Sequence, residues 1–352
     1  GKDGWTKVIN KINSGVKDVY EYRTTRNVFY GTENHRVLDN GVKIEVKDAK
    51  EIDSLQFYDI ESYDLDARDI MDGLVIGDGS VHKASNNLVF LCIGENDKDY
   101  FNSEINSLII KHRPGLKKTA YEIISTISPN ELPLLPIREI PNRFFYGNKE
   151  KVRGFLRGLY SANGSVVDKR ITLKTFSPKL RDQVQIMLSS IGINSYFTTN
   201  KKKDVKFENG TYECKESYDI NISTDRLKFY NLIGFLQEYK NDKLKEVIKT
   251  KNSGRKEKNP IKSINKISTE EVFDITVDNK SHTYWTGGCN VSNCGEIPLS
   301  PYDSCRLIAS NLYSVVDNPF TSSATINESN AYSIFYEAQI IGDILVDLEL
   351  EY

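Results

Sequence analysis

Two ten-residue stretches, "MDGLVIGDGS" at 71–80 and "LRGLYSANGS" at 156–165, constrain this chain more than any other feature. Aligned, they set Gly73 on Gly158, Leu74 on Leu159, Asp78 on Asn163 and Gly79 on Gly164. Each closes a run of helical period. Glycine inside a lone helix costs about 1 kcal/mol relative to alanine. One copy would be a helix end followed by a turn. Two copies in matching positions imply helices whose backbones approach closely, cross tightly, and deliver Asp78 and Asn163 side by side. The first helix is expected to stop at Gly77 and Gly79.

The surroundings repeat too. After the first motif come two strand-like runs, "SVHKA" and "NNLVFLCIG", a helix-like "DKDYFNSEINSLIIKH", and a strand pair across 117–127. After the second come the strand-like "VVDKRITLKTF" and the amphipathic "SPKLRDQVQIMLSSIGI", with a serine in position to cap its first turn. The strands "SYFTTN" and "ESYDINIS" and the helix "TDRLKFYNLIGF" then follow. A charged linker at 249–259 ends the repeat.

This doubled unit resembles the LAGLIDADG homing endonucleases, as do "REIPNRFF" before the second motif and "LSSIGINSYF" after it. The resemblance implies an α+β fold of two pseudo-symmetric αββαββα halves, whose sheets form a saddle on the major groove of double-stranded DNA. It implies Mg²⁺ at Asp78 and Asn163, the motif-end positions, since Mg²⁺ takes oxygen ligands and keeps waters. Asn163 departs from the family, which has an acid there; its amide oxygen ligates without charge. Lys174 falls where the family has a basic active-site residue, and Lys201, Lys202 and Lys203 are candidate phosphate contacts.

The flanks have another character. Residues 1–58 and the segment from 261 onward alternate polar and apolar residues around turn signals such as Asp-Asn-Gly, the pattern of short strands. "YGTENHRVLDNG" holds Thr32 and His35 in a TxxH arrangement. "VFDITVDNKSHTYWTGGCNVSNC" holds Asp274, His282 and the pair Asn293-Cys294. In this order the stretches resemble the splicing blocks of inteins. That resemblance implies a β-rich Hedgehog/intein domain split by the endonuclease. Asn293 would cyclise onto its own carbonyl and cut before Cys294, the acceptor thiol of the upstream acyl group. His282 would handle the protons, Thr32 and His35 would polarise an upstream scissile amide, and Asp274 would assist the thiol steps. No cofactor is implied for splicing. Ser292 stands where the family has histidine and does not titrate at neutral pH. The family's opening Cys or Ser block is expected in an upstream segment, since the chain opens on Gly1 without Met.

From Cys294, "CGEIPLSPYDSCRL…NLYSVVDNPFT…DILVDLE" resembles the catalytic subunit of adenosylcobalamin-dependent ribonucleotide reductase. By that resemblance Cys294 would be the thiyl-radical cysteine and Glu296 its proton-handling partner, with adenosylcobalamin needed only by the spliced host.

The expected domains are 1–62 and 251–293 for splicing, 63–250 for the endonuclease (halves 63–145 and 146–250), and 294–352 for the host. The expected function is protein splicing with an embedded site-specific endonuclease. Two alternatives stand beside it: a decayed endonuclease that only binds DNA, and a reductase chain active only once spliced. Composition agrees with a multidomain globular chain: 352 residues, 39% hydrophobic, 27% charged, net charge −2. No apolar run suffices to cross a bilayer. Five cysteines with no CxxC and only four histidines argue against a disulfide framework or a multi-histidine metal site, and reduced thiols point to the cytoplasm.

Overall fold

The computed structural model describes residues 6–54, 64–82, 88–94, 97, 105–115, 118–145, 148–207, 210–250, 258–293 and 310–350. The chain divides into two compact units, Gly1–Asn293 and Cys294–Tyr352.

The first unit contains a β domain made from both ends of its sequence. Strand β1 (Val8–Thr24) runs antiparallel to β15 (Ile261–Val277), from Val8 opposite Val277 to Thr24 opposite Ile261. Strand β2 (Val28–Gly31) joins the other edge of β1. A second sheet has the order β16-β17-β3-β4, from Thr283–Thr286, Cys289–Ser292, Arg36–Asp39 and Val42–Glu45. The β3–β4 turn needs positive φ at Asn40 (51°) and Gly41 (79°), and both amides donate to the Asp53 carboxylate at 3.0 and 2.8 Å. Tyr22, Phe29, Val37, Val46 and Ile52 from the early segment bury against Cys289 and Val291 from the late one. Neither segment holds that core alone.

Between them lies the α+β portion. Helix α1 (Ala67–Asp78), capped by Asp66, leads into β5 (Gly79–His82), β6 (Leu88–Gly94), β7 (Ile109–Pro114) and β8 (Lys118–Ile123), in sheet order β5-β6-β8-β7. The short α2 (Asn142–Phe145) precedes α3 (Lys149–Asn163), capped by Asn148. Then come β9 (Gly164–Val167), β10 (Arg170–Thr175), α4 (Pro178–Ser190), β11 (Tyr196–Asn200), the hairpin β12 (Lys203–Phe207) with β13 (Gly210–Cys214), β14 (Ser217–Ile222), α5 (Arg226–Leu232) and α6 (Glu238–Ile248). The second sheet has the order β11-β14-β10-β9. The halves share a hairpin register: Gly79 pairs with Leu91 as Gly164 pairs with Leu173. Ser177 caps α4 through Leu180 N, as its sequence predicts.

The glycines do what the repeat requires. A Cβ on Gly73 would run into the Phe155 carbonyl oxygen and lie 2.9 Å from Leu159 N. One on Gly158 would run into the Ile70 carbonyl oxygen and lie 2.7 Å from Leu74 N. The helices cross backbone to backbone, and Ile70, Leu74, Phe155 and Leu159 fill one core spanning both halves. Gly158→Ala should therefore cost about 3 kcal/mol, the upper part of the usual overpacking range. Gly94→Ala, with open space around its Cβ, should be near neutral. Urea midpoints of the two variants check this.

Three expectations change. Helix α1 ends on Gly79, its C-cap, as expected, but does not stop at Gly77; it continues to Asp78, and Gly77 serves the crossing and packs on Ala162. The helix expected in "DKDYFNSEINSLIIKH" gives way at its end to strand β7, where pairing with β8 on the sheet edge overrides the apolar spacing; residues 98–104 lie outside the described set. The strand pair expected at 117–127 is the single strand β8, held between β6 and β7.

The β domain docks on α4. Arg23 forks onto the Asp182 carboxylate at 2.7 and 2.8 Å, and Asn27 Nδ2 donates to Ser189 Oγ at 2.7 Å. In the second unit β18 (Val316–Asp317) pairs with β19 (Thr325–Ile326), and α7 (Glu328–Leu350) leaves Tyr332, Phe335, Tyr336 and Ile341 exposed. Among the described residues no helix is long and apolar enough to cross a membrane.

Candidate functional site

Two places combine chemistry-bearing residues, and each is built by a different part of the first unit. The first is the paired ends of α1 and α3. The close pass of Gly77 against Ala162 brings the last residues of the two helices together, and Asn163 Nδ2 lies 3.4 Å from where a Gly77 Cβ would be. Asp78 faces solvent on one side and dense protein on the other. Desolvation pushes its carboxyl above the usual range; the charges of Lys240, Lys118 and Arg138 oppose that, and Asp97 adds to it. Among the described residues no hydrogen bond holds the Asp78 carboxylate, so its oxygens are open to a ligand.

Helix C-termini carry partial negative charge, and here two of them meet beside a carboxylate. Each carries its own cation. Buried Arg138 donates to the carbonyls of Ile76 (3.0 Å), Gly77 (3.3 Å) and Gly79 (3.3 Å) at the end of α1. Lys240 Nζ donates to Ser161 O at 2.9 Å, joined by Gln237 Nε2 at 2.8 Å, at the end of α3. Ile76 and Ser161 are equivalent positions of the two motifs. Burial pushes the Lys240 ammonium down, and Asp97 and Asp78 hold it up. Neither cation was singled out from the sequence. Arg138 opens the "REIPNRFF" stretch, so a signal for it existed; Lys240 sits in a charged helix with no local mark.

Of the expected nuclease residues, Lys174 is exposed on β10, with Nζ 3.9 Å from Asp219 Oδ1 across the β10–β14 pair. Lys201 and Lys202 are exposed just beyond β11, and Lys203 opens β12. A divalent ion at Asp78 and Asn163 fits the donors: an open carboxylate and an amide, both hard oxygens. Among the described residues no group of three or more His, Cys, Asp or Glu converges, so waters or substrate would complete the shell.

The second place is the edge of the β domain. Strand β17 pairs with β3 through Val291 opposite Val37 and Ser292 opposite Arg36. The next step along both chains leads to Asn293 and His35. Asn293 is 3% exposed, and among the described residues neither atom of its buried side-chain amide has a hydrogen-bond partner. The same holds for Nε2 of His35. Each orphaned polar group costs about 1–3 kcal/mol, and native folds keep few of them. Burial pushes the His35 imidazole below its ordinary value, with Asp274 opposing. Thr32 forms the turn before it: His35 N donates to Thr32 O at 3.1 Å, and Thr32 Oγ1 donates to Asn34 Oδ1 at 2.8 Å. Asp274 lies on β15 opposite Ile12 and accepts from Ile275 N.

His282 meets the strand end through its backbone. Its ring is exposed and its backbone has φ 51°, and its contacts with the strand end are made by its carbonyl. That carbonyl accepts from Asn293 N at 3.2 Å and Ser292 Oγ at 3.0 Å. Ser292 Oγ also lies 3.1 Å from the Asn293 carbonyl oxygen. Cys294 and Glu296 lie outside the described residues.

Comparison with known proteins gives a partial match. Residues 150–234, from α3 to just beyond α5, match the family model of the LAGLIDADG-like domain. A DNA polymerase of Thermococcus hydrothermalis is 34% identical over 115 residues, 31% of this chain and 7% of the polymerase. A DNA polymerase of Thermococcus sp. (strain GE8) is 31% identical over 169 residues, 44% of this chain and 10% of the polymerase. An ATP-dependent DNA helicase of Methanocaldococcus jannaschii is 33% identical over 112 residues, 30% of this chain and 9% of the helicase. The chain thus spans a tenth or less of the curated relatives it matches. Among solved structures, I-DmoI in complex with DNA and calcium has 19% identity and a TM-score of 0.36, over 51% of this chain and 97% of that one. Mesophilic variants of the homing endonuclease I-DmoI have 21% identity and a TM-score of 0.34, over 48% of this chain and 94% of theirs.

Proposed function

We propose that the chain is a self-splicing β domain carrying a site-specific DNA endonuclease, followed by a segment of a ribonucleotide reductase. The observation that carries this reading is that the two flanks of the LAGLIDADG-like portion close one β core, and that its last strand ends on a buried asparagine with no partner for its amide. The relatives support a portable module: two polymerases and a helicase share at most a tenth of their lengths with it, which speaks against polymerase or helicase chemistry as the common property.

In splicing, Asn293 Nδ2 attacks its own carbonyl carbon. The bond to the Cys294 nitrogen breaks, a succinimide forms, and the departing amine takes the proton. The attack is intramolecular, so a fixed orientation replaces much of the barrier. His35, whose imidazole burial pushes below its ordinary value and which is next in line along β3, is available with Thr32 to polarise the upstream scissile amide. Asp274, beside it, assists the thiol steps. Cys294 is the acyl acceptor, a thiol needing only modest activation. His282 lends a carbonyl that orients Asn293 N, and its side chain is the candidate for the proton transfers of the cyclisation. After splicing, Cys294 and Glu296 belong to the host reductase, with adenosylcobalamin as its cofactor. The exposed apolar side of α7 suits a segment whose covering surface lies in the host.

In the endonuclease, the Asp78 carboxylate and Asn163 amide would hold Mg²⁺, which supplies Lewis-acid stabilisation at the scissile phosphate. Lys174 and Lys201–Lys203 would face the DNA backbone. The test is a gel-shift series with a duplex spanning the uninterrupted reductase insertion point, against a scrambled duplex. Preferred binding should weaken steeply with salt, about 10³-fold or more between 50 and 200 mM if six or more phosphates are contacted. Equal affinity for both duplexes at every salt concentration would sink the site-specific reading.

A further inference from the structure

We infer that Ser292 is a catalytic residue of Asn293 cyclisation, its hydroxyl donating to the very carbonyl that the asparagine amide attacks; this rests on the splicing reading above. Ser292 closes β17 and is 2% exposed, so water does not compete for its proton. Its Oγ lies between two carbonyl oxygens, 3.0 Å from that of His282 and 3.1 Å from that of Asn293. A hydroxyl carries one proton and serves one acceptor at a time.

The two acceptors are not equal once reaction begins. The His282 carbonyl stays an ordinary peptide oxygen and keeps Asn293 N as a partner at 3.2 Å when the hydroxyl turns away. The Asn293 oxygen gathers negative charge as its carbon is attacked. Hydrogen bonds to a charged acceptor are roughly twice as strong as neutral ones, so the proton is drawn to Asn293 as the transition state forms. Such an interaction strengthens during the reaction and accelerates it. No ionisation of the serine is needed. The residue is thus an oxyanion donor, not the acid or base that a histidine there would be. Among the described residues no hydrogen bond ties down the Asn293 amide, the nucleophile.

The experiment follows release of the fragment beginning at Cys294 from the full chain by intact mass. Five chains are compared: unaltered, Asn293→Ala, Ser292→Ala, Ser292→Thr and Ser292→His. Ser292→Ala should slow release about 10-fold to 100-fold, at or below the loss typical of one oxyanion donor, with an unchanged urea midpoint. Ser292→Thr, which restores the hydroxyl, should recover most of the rate. Because serine does not titrate, Ser292→His should add a pH dependence near the histidine range that the unaltered chain lacks. If the unaltered chain and Asn293→Ala both stay whole, the splicing reading fails and this inference with it. If the unaltered chain releases the fragment and Ser292→Ala matches its rate, the role of Ser292 alone is overturned.

Discussion

The chain with Asn293→Ala should stay full-length, while the unaltered chain should slowly release a fragment that begins at Cys294. No other side chain can stand in for Asn293, because the bond that breaks is its own peptide bond and the attacking atom is its own Nδ2. Loss of release in the variant should therefore be complete on the time scale of days. Misfolding is a poor explanation in advance. Asn293 is buried with both amide atoms unpartnered, and each such atom costs about 1–3 kcal/mol of folding stability. Alanine removes both, so the variant should unfold at an equal or higher urea concentration. A chain that is at least as stable and no longer cuts itself has lost chemistry. Intact mass over days at 25 °C, with a urea titration beside it, reads both quantities. Persistence of the unaltered chain to the same extent as the variant removes the claim.

What the sequence discloses about these sites divides along physical lines. Features that depend on covalent neighbours were legible. The glycines at 73 and 158 had to mean close helix contact, since a helix otherwise gains from a side chain there. The turn at Asn40-Gly41 and the Ser177 cap follow from residue type alone. Features that depend on which distant backbone lies nearby were not legible. Arg138 opens a stretch the sequence does mark, but its role shows only when the end of α1 is laid beside it and its guanidinium meets three of that helix end's carbonyls. Lys240 has no mark until α6 folds under Ser161. Strand β7 carries apolar residues at a spacing that suits a helix, and only the free edge of β8 decides otherwise. Ser292 is the sharpest case. As a residue type it lacks a neutral-pH ionisation, and that property points away from it. Its relevance lies in where one proton sits relative to two carbonyls, which only the β16–β17 register fixes, with Thr283 opposite Ser292.

Asp78→Asn should abolish DNA cleavage, and Asn163→Asp should raise double-strand cleavage at the expense of nicking. The argument starts from charge. Hard Mg²⁺ favours anionic oxygen over a neutral amide, so the Asp78 side of the helix pair binds metal better than the Asn163 side. The two strands should then be cut unequally in the unaltered chain, with nicked plasmid running ahead of linear. Removing the carboxylate at 78 leaves two amides at the helix ends, with the cations Arg138, Lys240 and Lys118 outnumbering, among the described residues, the one remaining carboxylate, Asp97, a setting that disfavours a divalent ion. Adding a second carboxylate at 163 has an opposing cost. The Asp78 carboxyl is already pushed up by desolvation, and a like charge beside it pushes further. The gain in Asn163→Asp should therefore require divalent metal and grow as pH rises, because an acid with a raised pKa is more fully ionised at higher pH. Arg138, Lys240 and Lys118 limit that cost, since their charges favour the ionised form of Asp78. Supercoiled plasmid carrying the insertion-point sequence, incubated with Mg²⁺ or Mn²⁺ across pH and scored as nicked against linear, gives every readout at once. If the unaltered chain linearises the plasmid without a nicked intermediate and Asn163→Asp changes nothing, the neutral amide at 163 is no handicap, and a carboxylate other than Asp78 completes the metal site.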